Sequence, residues 1–289
     1  MAKFNIYEEI TNRIIEQLEK GEIPWHKPWS GVMSGAYNRV SKKPYSLLNQ
    51  MILQHDGEYA TYKQWSELGG KVKKGEKAEI VVFWKILQVE EAKDGKVEKK
   101  SIPLLKYINV FHISQIDGVE PKDMKPVEHN PIEEAEQIKA DYADREHLVI
   151  KEIVTDRAFY SPSKDYIQVP CKEQYKDIME FYSTLFHEMV HSTGHRDRLG
   201  RLDLNAKLAS FGSEEYSKEE LIAEIGAAFL MNHIGIETAK TFKNSAAYIQ
   251  NWLQVLRNDN KFIVSASSKA EKAMKYILDG KDNFVAVNN

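Results

Sequence analysis

The chain has 289 residues, 42% of them apolar and 29% charged, with a formal net charge of −3. This is the composition of a soluble globular protein long enough for two domains. No apolar run approaches the length of a bilayer span, and Cys171 stands alone, so a membrane role, a disulfide framework and a cysteine metal site are all excluded.

The first twenty residues, MAKFNIYEEITNRIIEQLEK, read as an amphipathic helix containing acids, not as a signal peptide, and the expected setting is the cytoplasm. That helix spans about Ile6 to Leu18 and closes at Gly21. Pro24-Trp25-His26-Lys27-Pro28-Trp29 and a Ser/Gly-rich turn follow. Short helices are expected around Leu47 to Gln54 and Tyr62 to Leu68, then strands at Ile80–Lys85 and Leu104–Ile113. Between the strands, Glu90–Lys100 reads as a charged, exposed loop. The closely spaced Pro121, Pro126 and Pro131 mark a linker. The domains are therefore set at 1–125 and 126–289, the first α+β and the second mainly helical with a small sheet, an α+β chain overall.

Charge divides along the same line. Residues 1–112 hold 18 Lys and Arg against 14 Asp and Glu, and residues 113–289 hold 22 against 29. In residues 23–77, nine cations face four acids and are interleaved with aromatic residues. Cations that follow phosphates and rings that stack on bases are what single-stranded nucleic acid requires. Trp25, Lys27, Trp29, Tyr45, Tyr62, Trp65, Lys71, Lys73, Lys74 and Lys77 are the candidates. The competing reading makes the rings core residues and the Lys71–Lys77 run a solvated turn.

The second domain opens on an acidic helix at 132–146. Asp165–Pro170 alternates like a short strand and ends in proline, as sheet edges do, and reads either as an edge that could align an extended peptide or, equally, as an ordinary core strand. Residues 175–193 then place Ile178, Phe181, Tyr182, Leu185 and Met189 on one buried helical stripe. On the adjoining face lies His187-Glu188-Met189-Val190-His191, an H-E-x-x-H sequence. Its histidines, four apart, can hold one divalent metal, and Glu188 can serve as general base. Gly194 is expected to end the helix in a left-handed cap.

A catalytic zinc needs a third protein ligand and one open position. Glu224, in the apolar segment KEELIAEIGAAFL, is favoured, because a carboxylate among small residues is costly unless paired or metal-bound. Asp197 is the second choice, His195 has an uncertain direction, and Glu220 reads as a solvated or outer carboxylate.

The order PWHKPW, YSLLNQMIL, TYKQWSELGGKVKKGEKAEIVVFW and VFHISQIDG resembles the N-terminal domain of ArdC-type antirestriction proteins. FYSTLFHEMVHSTGHRDRLGR, EELIAEIGAAFL and AAYIQNWLQVLRND resemble the metallopeptidase domain of the same family. Lys42-Lys43 and Ser46 depart from a Thr-Gly and an Arg-Gly common in the family. The resemblance implies a single-stranded-DNA-binding domain joined to a zincin-like metallopeptidase domain, on a mobile element that protects incoming DNA from restriction. It also implies that His187 and His191 bind Zn²⁺, that Glu188 is catalytic and that Glu224 is the acidic residue of the second helix. The protein substrate is left open. The alternative is a non-enzymatic coating protein whose metal site is structural or vestigial.

Overall fold

A computed structural model describes residues 4–26, 35–93, 96–122, 130–202, 214–236 and 246–286. The chain forms two compact units, Met1–Arg13 with Gly35–Asp123, and Ile14–Ser34 with Met124–Asn289. Helix α1 (Ile6–Glu19) contributes to both and buries Ile6, Ile10, Ile14 and Leu18, a stripe spaced every fourth residue. Gly21 closes it at φ +79°, a left-handed conformation in which a Cβ would be strained.

The first unit is built on a four-stranded sheet of order β1-β2-β5-β4. β1 (Ala36–Asn38) runs parallel to β2 (Gly57–Ala60), which is antiparallel to β5 (Lys96–His112), and β5 pairs with β4 (Glu79–Lys93). Helix α2 (Leu47–Ile52) buries two amides that act as extra strand partners. Asn49 exchanges 2.8 Å hydrogen bonds with both backbone groups of Val82. Gln50 accepts from the Ala36 amide at 2.7 Å and donates to its carbonyl at 2.8 Å. Such pairing is what permits polar side chains in a core. Helix α3 (Tyr62–Glu67) starts in a capping box between Thr61 and Gln64. β3 (Lys71–Val72) and β6 (Ile116–Asp117) form a separate two-stranded ladder.

The charged segment expected to be a loop at Glu90–Lys100 instead extends the hairpin. The ladder continues to Lys93 opposite Lys96, with Glu90 opposite Lys99 in register. The segment has no apolar alternation, so its polar sequence hid the strands.

The second unit contains α4 (Pro131–Glu146), β7 (Val149–Ile153), β8 (Phe159–Ser161), β9 (Tyr166–Pro170), α5 (Ile178–Ser192), α6 (Glu214–His233), α7 (Ala246–Asn258) and α8 (Phe262–Ala286). Asp177 caps α5 by accepting from the Met179 amide at 2.9 Å. Its sheet has the order β7-β9-β8, so β9 is central, paired on both sides, and not an edge. Pro170 is tolerated because it is the last residue of the strand. β8, antiparallel to β9, is one of the two outer strands, and both β8 and β9 pack against α5.

Helix α5 stops at Ser192 without the left-handed glycine expected at Gly194. Its C-cap is Thr193 at φ −61°, and the left-handed glycine is Gly200 at φ +62°. Gly194 is needed for space: a Cβ there would lie 2.7 Å from Leu202 Cγ and 3.0 Å from the His191 carbonyl oxygen. Close approach also explains Gly226 on α6, where a Cβ would meet Val190 at 2.9 Å. The small residues of IAEIGAAFL let α6 lie tightly on α5. Among the described residues, no helix is long and apolar enough to cross a membrane.

Candidate functional site

Helices α5 and α6 together build a cluster of two imidazoles and several carboxylates. The Nε2 atoms of His187 and His191 face each other at 3.0 Å. Each is 3.4 Å from a carboxylate oxygen of Glu220. Donors about 2.0–2.1 Å from a tetrahedral ion would be separated by about 3.3 Å, so this triangle has the dimensions of a metal-ligand set. Among the described residues, His187, His191 and Glu220 are the group whose donor atoms converge in this way.

The outward Nδ1 atoms meet two further carboxylates. His187 Nδ1 lies 3.6 Å from Glu224 Oε1, and His191 Nδ1 lies 3.2 Å from Glu219 Oε1. Such partners orient an imidazole so that its other nitrogen presents a lone pair inward. Glu219 is held in turn by Arg201, whose Nε is 3.0 Å and 3.1 Å from its two oxygens. The same guanidinium donates to Thr193 Oγ1 at 2.9 Å and to the Val190 carbonyl at 2.6 Å, joining α6 to the C-terminal turn of α5.

The electrostatics favour a cation. Burial opposes protonation of both histidines, yet the carboxylates outweigh it. His187 is shifted up by Glu220 and Glu224, and His191 is raised to about 10 by Glu219 and Glu220. Burial also works against ionisation of Glu220, but hydrogen bonds to the two imidazoles hold it far below the usual carboxylate range. Glu224 behaves oppositely: burial pushes it up to about 7 despite attraction from His187. Its Oε2 is buried with no hydrogen-bond partner. The residues present therefore suit a divalent ion, whose charge would compensate a pocket crowded with carboxylates.

The structure thus places Glu220, not Glu224, against the two Nε2 atoms, while Glu224 lies on the Nδ1 side of His187. The physical reason is the way the helices pass: His187 faces Glu220 and Glu224, and His191 faces Glu219 and Glu220. Burial in the apolar run, which favoured Glu224 in sequence, measures depth and not direction. The spacing Glu220-x-x-x-Glu224, one turn on one face, was the signal that both serve one site. Glu188 is buried on α5 and its charge acts on both histidines. Asp197 points away, 74% exposed, with a carboxylate oxygen 3.5 Å from His195 Nδ1.

Several expected DNA-binding residues are core residues. Trp25 is fully buried in the second unit, edge-on to Trp252 at 5.2 Å. Trp65 is fully buried in the first unit with Ala60 and Ile116, and its Nε1 donates to the Phe111 carbonyl at 2.9 Å. Neither ring has a face for a base. Tyr45 is half-buried against Tyr59, whereas Tyr62, Lys71, Lys73, Lys74 and Lys77 are exposed. Lys73 Nζ donates to the Ser114 carbonyl at 2.7 Å. Lys27 and Trp29 lie outside the described residues. Sequence reasoning missed the exposed rings of the hairpin, Phe83, Trp84 and Tyr107. Their signal was a β4–β5 pattern apolar on both faces well beyond the core.

Comparison with known proteins finds two matched regions, the first of which includes residues 14–34 that group by contacts with the second compact unit. Residues 4–111 match the N-terminal domain of anti-restriction factor ArdC, and residues 136–269 match a zincin-like metallopeptidase domain. Two DNA primases TraC of Escherichia coli are 34% and 35% identical over 96% and 94% of this chain. The chain spans only 27% and 20% of their lengths. An uncharacterized protein, y4eC of Sinorhizobium fredii, is 32% identical over 93% of this chain and 90% of its own. The metal-free crystal structure of the antirestriction protein ArdC from plasmid R388 superposes with a TM-score of 0.76, at 32% identity, over 97% of this chain and 99% of that one. Its Mn(II)-bound structure gives 0.75 at 31% identity, over 96% and 98%. With both domains matched in order along nearly the whole length, the chain belongs to the ArdC antirestriction family.

Proposed function

We propose that this protein protects transferred DNA by coating its single strand through the N-terminal unit, and that its C-terminal unit carries a separate zinc-dependent peptidase centre acting on DNA-associated protein. The observation that carries the catalytic half is the triangle of His187 Nε2, His191 Nε2 and the Glu220 carboxylate, with Glu188 on the same helix. Two imidazoles and one carboxylate suit zinc better than magnesium or calcium. Manganese, present in the R388 relative, is the competing occupant.

His187, His191 and Glu220 would hold the divalent ion, which would supply Lewis acidity toward a peptide carbonyl and water. Glu188 takes the proton of the attacking water and delivers it to the departing amine nitrogen. Glu224 and Glu219 fix the orientation of the two imidazoles. The outer strand β8, packed on α5, offers backbone groups along which an extended peptide can align, the role that β9 cannot fill. The coating half is supported by family membership and by the basic balance of residues 1–112.

Zinc titration of the purified protein and its variants tests the centre. Glu220→Ala is expected to lose stoichiometric zinc, and Asp197→Ala to bind as the unaltered chain does. Zinc retained by Glu220→Ala but lost by Asp197→Ala would overturn this ligand set.

A further inference from the structure

The exposed part of the β4–β5 hairpin presents aromatic rings where most proteins present polar side chains. Phe83 is 42% exposed, Trp84 47% and Tyr107 46%. In the ladder, Trp84 is opposite Leu105 and Val82 is opposite Tyr107, so Trp84 and Tyr107 are diagonal neighbours on one face. Such diagonal positions are about 7–8 Å apart, comparable with the spacing of successive bases in an extended strand. Phe4, 56% exposed, continues the row, its ring centroid 5.2 Å from that of Tyr107. On the other face Phe83 is opposite Lys106, and Lys85 is its next neighbour along the outermost strand.

Charge identifies the partner. Strands β4 and β5 hold six lysines (Lys85, Lys93, Lys96, Lys99, Lys100 and Lys106) against four glutamates (Glu79, Glu90, Glu91 and Glu98), a basic balance. Lys85 and Lys106 are exposed, and neither pairs with a carboxylate among the described residues. Water-exposed rings and unpaired cations carried on one narrow ribbon match a polyanion with accessible bases. A duplex hides its base faces and a neutral apolar partner would leave the lysines unmatched.

We infer that Phe4, Tyr107 and Trp84 form the base-stacking platform of this protein for a single strand, with Lys85 and Lys106, on the opposite face of the same narrow ribbon, adding positive potential that draws its phosphates. This deepens, and rests on, the proposal that the N-terminal unit binds single-stranded DNA. It relocates the contact from the buried Trp25 and Trp65 to the hairpin.

The test is the affinity of the full chain for fluorescein-labelled oligo(dT), measured by anisotropy in chelator and at several salt concentrations, with sedimentation of each sample. Trp84→Ala with Tyr107→Ala should weaken binding at least about tenfold, since two stacked bases are lost and each contributes about fivefold or more. Trp84→Phe with Tyr107→Phe keeps the ring faces and should stay within about threefold of the unaltered chain. Lys85→Glu with Lys106→Glu should weaken binding and flatten its salt dependence. All these side chains are exposed, so the melting temperature should be little changed. If the unaltered chain binds oligo(dT) and the alanine pair binds equally well, the platform is wrong while single-strand binding stands. If the unaltered chain binds no oligo(dT), both fall. If the alanine pair dissolves a dimer and leaves affinity unchanged, the ribbon is a self-association surface instead.

Discussion

Glu220 and Glu224 are one helical turn apart and electrostatically opposite. Glu220, hydrogen-bonded to two imidazoles, stays ionised, whereas Glu224, with one oxygen lacking a partner, is raised to about 7. Removing a ligand and removing the group that orients a ligand have different costs. Glu224→Gln should keep one zinc per chain and weaken it about 10- to 100-fold, the usual effect of losing a carboxylate behind a metal-bound histidine. Arg201→Ala should act on the same scale through Glu219, and isothermal titration with zinc would read both. Glu188→Gln should keep fold and zinc and abolish proteolysis of any substrate found; cleavage at the unaltered rate would remove Glu188 as the base. That His187, Glu188 and His191 share one helix was legible from spacing alone. The choice among Glu219, Glu220 and Glu224 was not, because it depends on how one helix passes another.

At the scale of elements, the contact of α5 with α6 decides whether the centre forms. Replacing a helical glycine by alanine ordinarily gains about 0.5–1 kcal/mol. At Gly226 the new Cβ would lie 2.9 Å and 3.0 Å from the two γ-carbons of Val190, a stiff branched side chain. Overpacking of that kind costs about 1–3 kcal/mol, so the net sign is destabilising. Denaturant melts should show Gly226→Ala less stable, with Val190→Ala restoring part of the loss in the double variant; additive losses would mean the two residues are not in conflict. Trp65→Ala should cost about 3–5 kcal/mol as a core truncation, with oligo(dT) affinity of the folded protein unchanged.

Elements with one buried face were readable: α1, α4 and α5 lie where their patterns put them. The extension of the hairpin through Glu90–Lys100 was not, since that charged run has no apolar alternation to detect. Nor was the central place of β9, because alternation looks the same in a middle strand with one wet face as in an edge strand.

The whole molecule joins a basic part to an acidic one, in the order that the charge balance of the sequence shows. Contacts group Ile14–Ser34 with the second unit, through Trp25 against Trp252 and the ion pair of Glu19 with Arg257, while the matched N-terminal family region includes these residues. Nothing local in PWHKPW distinguishes a ring stacked on a base from a ring stacked on a distant tryptophan. Because the metal centre lies among carboxylates, it contributes little attraction for phosphate, and single-strand affinity should be the same with zinc and with chelator.

The central claim is that protection comes from coating the strand and not from cutting a protein. Transfer of a restriction-sensitive plasmid into a restricting host, with Glu188→Gln in place of the unaltered protein, tests it most directly. The account predicts that protection is retained in full. Loss of protection by a Glu188→Gln protein that still binds zinc and single-stranded DNA would contradict it.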